Sequence, residues 1–171
     1  MYEIIEKMFE GENPSSIFEV GVAGGLLMKE KPWVVGGIDI NSTDILSAKL
    51  NYPQYADNFI QYDARKPNWP IPDNSYDIVF SVGTLCLIED PMITIKEMLR
   101  IAKDKIILAE FHNKIDKKSD LYSFSFGNTG RTGFGYEHRY IRDNIRVFKE
   151  LGKKAEFIGE VTGKTIIKCK K

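Results

Sequence analysis

Residues 17–28 read IFEVGVAGGLLM: an apolar run carrying Glu19, then Gly21, Gly24 and Gly25 around Ala23, then apolar residues again. Small residues in such a turn let the backbone pass close to a ligand with no Cβ in the way. A phosphate-cradling P-loop needs Gly-Lys-Ser/Thr after its spacer, and none follows Gly21. A dinucleotide turn reads Gly-x-Gly-x-x-Gly/Ala. Counted from Gly21, the chain supplies Gly21, Ala23 and Leu26, and Leu26 is large where close helix–strand packing wants a small residue. A turn built for a ligand without phosphates stays open, as does a plain strand-to-helix turn. Two carboxylates also follow apolar runs directly, Asp39 in GGIDI and Asp63 in QYD. Beyond a later run, LAEF, stand His112, Tyr136 and His138, the candidate bases for any nucleophile that must lose a proton.

The elements that must hold these residues alternate along the chain. Residues 2–10 predict a helix with Ile4, Ile5, Met8 and Phe9 on one face. SIFEV, WVVGGIDI, NFIQYD, SYDIVFSV and KIILAEF read as strands. GVAGGLLMKEK is expected to leave the first strand and enter a short helix closed by Pro32. NSTDILSAKL begins with capping residues and continues as a helix. DPMITIKEMLRIAK predicts another, with Ile93, Ile95, Met98, Leu99 and Ala102 inward. ARKPNWPIPDN is a proline-rich loop, and IRDNIRVFKELG a helix that Gly152 can end. AEFIGEV and TIIKCK pair through TGK as a terminal hairpin.

Alternating strands and helices imply crossovers and parallel pairing. The expectation is an α/β fold: a three-layer, doubly wound, mainly parallel sheet of about seven strands with a C-terminal antiparallel hairpin, residues 1–171 forming one domain. Ligands of such sheets sit at the carboxyl ends of the strands, where the strand order reverses.

On that frame, Glu19-x-Gly21-x-Ala23-x-Gly25 resembles the acidic-x-Gly-x-Gly-x-Gly motif of class I S-adenosylmethionine (SAM)-dependent methyltransferases, with Ala23 in place of the central glycine. An alanine there costs little at negative φ and much at positive φ. The downstream order is similar too. GGIDIN, QYDARKPNWPIPDNSYDIVFS and TLCLIEDPMITIKEMLRIAKDKIILAE look like that family's second to fifth strands with their connections. The resemblance covers about residues 15–111 well and the rest in outline. It implies SAM as cofactor, held at Glu19, Gly21, Ala23, Gly25, Asp39, Ile40, Asp63, Ala64 and Ser81. Asp39 would accept both ribose hydroxyls, since each ionised oxygen can take one O–H donor. Asp63 would accept from the adenine amino group, the Ala64 N–H would donate to an adenine ring nitrogen, and Asp77 would be structural. The residue before IED, often histidine in the family, is Leu87, so no base stands there.

Methyl transfer from a sulfonium is an in-line displacement that needs alignment and exclusion of water more than acid–base chemistry. No catalytic dyad is therefore required. Residues 112–140 are expected to form a long irregular segment. Its six aromatics, Tyr122, Phe124, Phe126, Phe134, Tyr136 and Tyr140, suit a lid over the acceptor or a satellite core. The fourth strand ends in SVGT, not in the Asp/Asn-Pro-Pro-aromatic sequence that marks amino-methylating DNA enzymes. Cys86 lacks the preceding proline of cysteine-nucleophile enzymes, and no carboxylate pair after the fourth strand suits a catechol-type metal site. No metal is expected, and a small-molecule acceptor leads. Two other readings compete: a non-catalytic SAM- or partner-binding module on the same fold, and an NAD-dependent oxidoreductase.

Composition narrows the classes further. Hydrophobic residues make up 43% and charged residues 28%, an ordinary globular balance. No apolar run is long enough to cross a bilayer, and the N-terminus is too polar for a signal peptide, so a cytoplasmic protein without membrane partners is expected. Cys86 and Cys169 have neither disulfide-motif nor metal-ligand spacing. Net charge is zero but segregated. Residues 1–110 hold 10 Lys/Arg against 17 Asp/Glu, and residues 111–171 hold 14 against 7. The basic third keeps an acidic small molecule or an RNA open, although no compact basic-aromatic motif accompanies it and a solvated lysine surface explains it as simply.

Overall fold

The computed structural model describes residues 2–29, 31–111, 122–126, 137–141 and 143–171. Its main sheet is built from β1 (Ser16–Val20), β2 (Val34–Asp39), β3 (Phe59–Gln61), β4 (Tyr76–Val82), β5 (Ala102–Glu110), β8 (Ala155–Val161) and β9 (Lys164–Lys170). The strand order is β3-β2-β1-β4-β5-β9-β8. β1 to β5 pair in parallel, while β9 runs antiparallel to both β5 and β8. The expected doubly wound sheet with its terminal hairpin is therefore present. The order reverses between β1 and β4, and sheets of this kind bind ligands beyond the carboxyl ends of the strands at such a reversal.

Alternation along the strands explains the layering. Phe18, Val20, Val79, Ile106, Leu108 and Ile167 pack on one face with α3 (Met92–Ile101) and α4 (Asn144–Glu150). Ile17, Ile78, Phe80, Ile107 and Ile166 pack on the other with α1 (Tyr2–Met8) and α2 (Ser42–Asn51). Central strands covered on both faces read as unbroken apolar runs. Ile4, Ile5, Met8 and Phe9 are buried, as their spacing requires. In α3, Ile95, Met98 and Leu99 point inward, but Ile93 is 40% exposed and Thr94 takes the buried place beside it. Thr94 Oγ1 donates to the Ala64 carbonyl at 2.9 Å, which ties the loop after β3 to this helix.

Polar caps set the ends. Asn41 Oδ1 accepts the Thr43 N–H at 2.9 Å at the start of α2. Asp143 Oδ1 accepts from Ile145 and Arg146 at the start of α4. Asp77 has the structural role expected of it. Its Oδ2 accepts the Ser15 and Ser16 N–H groups at 2.8 and 3.0 Å, fastening the start of β1 to β4.

Two expectations need correction. The helix after Gly25 is a single 3-10 turn, Leu26–Met28. Met28 is buried and Leu27 packs against the core, but Leu26 is 51% exposed and Pro32 leaves too few residues to offset the cost of nucleating an α-helix. The segment 112–140 is not wholly irregular either. It contains β6 (Tyr122–Phe126) and β7 (Glu137–Ile141), paired antiparallel as a separate two-stranded sheet. Its remaining residues, and with them the lid expectation, lie outside the described residues.

Candidate active site

The loop after β1 is stitched to the end of β2. Gly21 and Val22 both donate their N–H groups to the Ile38 carbonyl, at 2.9 and 3.0 Å. Ala23 donates to Asp39 Oδ2 at 3.0 Å, and Asn41 donates to Asp39 Oδ1 at 2.9 Å. Asp39 thus fixes the loop through Oδ2 and the start of the following turn through Oδ1, and each oxygen keeps acceptor capacity for a further donor. Two side chains from the end of α2 complete the hold. Tyr52 Oη donates to the Gly25 carbonyl and Asn51 Nδ2 to the Gly24 carbonyl, both at 2.8 Å. Ala23 sits at φ 47°, the left-handed region that costs an L-residue free energy.

Glu19 is buried in β1 immediately beneath this loop, and among the described residues its Oε2 has no hydrogen-bond partner. Burial first, and the neighbouring Asp39 charge second, push its carboxyl well above the usual range. On the far side of the reversal, Gly21 meets the loop after β4. A Cβ at Gly21 would fall 2.0 Å from Thr84 Oγ1, and its φ is 77°. Only glycine lets the two loops touch at this point.

The loop after β4 is organised by a residue the sequence reading passed over. Glu110, buried at the end of β5, accepts the Ser81 hydroxyl at 2.8 Å and the Thr84 and Leu85 N–H groups at 3.1 Å through Oε1. Its Oε2 accepts the Cys86 N–H at 3.3 Å. Burial raises its carboxyl above the usual range, against the pull of those four donors. The signal was a carboxylate closing KIILAE, the same strand-end placement that singled out Asp39 and Asp63. Ser81 is fully buried with its hydroxyl on Glu110, so this candidate supports the floor of the site.

Asp63 follows β3, beside Asp39 at the end of β2, with Asp39 and Gln61 paired across the two strands. Arg65 grips its carboxylate as a fork: Nε to Oδ1 and a terminal nitrogen to Oδ2, both at 2.8 Å. The side-chain hydrogen bonds to Arg65 hold the Asp63 carboxyl below its usual range, against the opposing effect of burial. Ile40 is 59% and Leu87 42% exposed, which leaves apolar surface on loops at this same edge. β7, which carries His138, runs beside the turn Leu85–Leu87. His112 and Tyr136 lie outside the described residues. Cys86 and Cys169 are buried thiols that form no disulfide among the described residues. Among the described residues no cluster of His, Cys, Asp or Glu could hold a metal, and no helix is long and apolar enough to cross a membrane.

A seven-stranded sheet with this order, a small-residue loop after β1 and acids closing β2 and β3 defines the class I methyltransferase fold. The chain belongs to the methyltransferase domain family, whose model matches residues 18–109. No curated protein matches it. Solved structures share the fold at low identity. A SAM-dependent methyltransferase from Methanosarcina mazei has a TM-score of 0.66 at 21% identity, covering 99% of this chain and 96% of its own. One from Aquifex aeolicus has a TM-score of 0.62 at 17% identity, covering 98% and 87%. A structure described as a complex of the Haloferax volcanii Trm112 methyltransferase activator with a methyltransferase has a TM-score of 0.66 at 14% identity, covering 98% and 87%.

Proposed function

We propose that residues 1–171 act as one domain that moves a methyl group from SAM to a small-molecule acceptor by in-line displacement. The observation that carries this reading is the latch between Ala23 and Asp39. It draws the small-residue loop against a carboxylate that still has an accepting lone pair on each oxygen.

The surroundings fit such a cofactor. Asp39 would take the ribose hydroxyls, one per oxygen. Exposed Ile40 beside it offers an apolar surface for the adenine face. Asp63 and Ala64 would meet the adenine edge, with the Arg65 fork sharing or yielding the carboxylate. Gly21, Ala23 and Gly25 would pass along the methionine end. Buried Glu19, with its unpartnered oxygen under the loop, supplies an acceptor for that end.

Bound SAM would supply an electrophilic methyl carbon with a good leaving group. The protein's work is then positional. Glu110 fixes the turn after β4, Thr84 of that turn abuts Gly21, and the reacting groups are aligned between rigid strand ends. His112, Tyr136 and His138 are the candidates for a base if the acceptor must lose a proton.

Calorimetry with SAM, S-adenosylhomocysteine and NAD tests the reading. Micromolar binding of the first two, lost in Asp39→Ala, is the expected result. Binding of NAD alone would overturn it and favour an oxidoreductase. A methyl-release screen across small acceptors then tests transfer, and silence despite tight SAM binding would leave a binding module.

A further inference from the structure

Lys164 opens β9, and its neighbour Thr165 pairs with Glu110, so Lys164 stands at the carboxyl edge of the sheet, just beyond the end of β5. Its side chain crosses that end toward β4. A Cβ at Gly83, directly after β4, would come within 3.1 Å of Lys164 Cε. The ammonium lies 4.8 Å from the centre of the Phe111 ring. Gly83 is fastened there by its N–H to the Ala109 carbonyl at 3.0 Å, and the next residue, Thr84, abuts Gly21 of the cofactor loop. A lysine from the last strand thus lies along the carboxyl edge of the sheet beside Gly83, one residue from the turn that abuts the proposed cofactor loop.

The nearest acid on β5 does not answer that charge. Glu110 is buried, and its oxygens are taken by Ser81 and by the N–H groups of Thr84, Leu85 and Cys86. Among the described residues the Lys164 ammonium forms no ion pair, and its contact there is the Phe111 ring. A ring face holds the cation in place while leaving its N–H donors to a stronger acceptor. The segregated charge agrees, with 14 Lys/Arg against 7 Asp/Glu over residues 111–171.

We propose that Lys164 determines acceptor specificity by pairing with an anionic group, a carboxylate or phosphate, on the small molecule to be methylated. This rests on the methyl-transfer reading of the same edge. Gly83 keeps the lane clear for the lysine stem, and Phe111 aims the ammonium.

The test uses the full chain loaded with S-adenosylhomocysteine and labelled at lysine Cε. Phenylacetate, phenyl phosphate and neutral phenylacetamide are titrated in, and Lys164 is assigned from the signal lost in Lys164→Met. At least one anion is expected to bind saturably, about tenfold tighter than the amide, and to move the Lys164 signal. Lys164→Met should bring that anion to the amide's level, while Lys164→Arg keeps most of the preference. Unchanged S-adenosylhomocysteine affinity in both variants checks their folding. Preference for phenyl phosphate assigns a phosphate-bearing acceptor, and preference for phenylacetate a carboxylate. Equal binding of all three probes, no saturable binding of either anion, or an anion preference that survives Lys164→Met overturns the proposal. A chain that takes up no S-adenosylhomocysteine retires the methyl-transfer reading and this inference with it. A loaded chain without anion preference retires this inference alone.

Discussion

Ala23 donates its N–H to Asp39 Oδ2 across 3.0 Å while its own backbone is held at φ 47°. The hydrogen bond and the left-handed conformation belong together, because the loop reaches the carboxylate only by turning there. Ala23→Gly should keep the bond and remove the Cβ strain. The expected gain is about 0.5–1 kcal/mol after the entropy a glycine adds to the unfolded chain. Thermal unfolding should then shift up by about 1–4 °C. A lower midpoint would show that the loop does not hold this conformation in solution.

Glu110 joins the end of β5 to the loop after β4 through four donors. Glu110→Ala leaves Ser81 and three N–H groups without it, and should cost about 3–5 kcal/mol in urea unfolding. Ser81→Ala removes one donor and should cost about 1–2 kcal/mol. The double variant should cost less than the two losses added, since both act on one network. Full additivity would contradict the shared network.

Tyr52 and Asn51 hold the proposed cofactor loop from the end of α2, in the place where a longer helix after Gly25 is missing. Tyr52→Phe leaves the Gly25 carbonyl without its buried donor and should cost about 1–2 kcal/mol. Asn51→Ala removes a bond at the exposed surface and should change stability by less than about 0.5 kcal/mol. Both should weaken S-adenosylhomocysteine binding several-fold in calorimetry while leaving kcat nearly unchanged, because they position a loop and touch no reacting atom. Unaltered affinity in both would mean that the loop needs no clamp.

Local chemistry made most of these elements readable. SIFEV is β1 to the residue, and the terminal hairpin turns through Thr162 and Gly163 at φ 50° and 75°, where Gly163 supplies the freedom such a turn needs and β-branched Thr162 is held against its preference. Asp39 stood out because it directly follows an apolar run at the place where the family resemblance implies a ribose acceptor. Other features depended on pairings that no local pattern encodes. Register decides that Thr165 meets Glu110 and that Lys164 therefore overlies Phe111. Tyr-Ser-Phe-Ser-Phe is a two-residue alternation, and the surrounding glycines masked it as a loop, yet it forms β6. The helix after Gly25 stops at one 3-10 turn because Pro32 leaves too few residues to offset the cost of nucleation, although Met28 is buried.

Glu19 makes stability depend on pH in a direction opposite to that of most paired acids. Burial, and then the charge of Asp39, raise its carboxyl in the folded chain, whereas unfolding returns it to the ordinary range. Between those two values the folded state holds more protons than the unfolded one. Stability from this group is therefore complete below the unfolded value and declines as pH rises toward the folded one. The limiting slope is about 1.4 kcal/mol per pH unit for one proton. Asp63 and Asp77 have the opposite sign. Arg65 holds Asp63 low, and for Asp77 Lys103 and two N–H groups outweigh burial, so both lose their contribution as pH falls. Glu110 shares the direction of Glu19, and all three other acids cancel when a single variant is compared with wild type. Glu19→Gln keeps the shape of the protonated acid and removes its titration. Urea unfolding across the weakly acidic to neutral range should show Glu19→Gln gaining on wild type as pH rises, with the two nearest each other at the acid end. Parallel profiles would mean that Glu19 is ionised and solvated at the base of the loop.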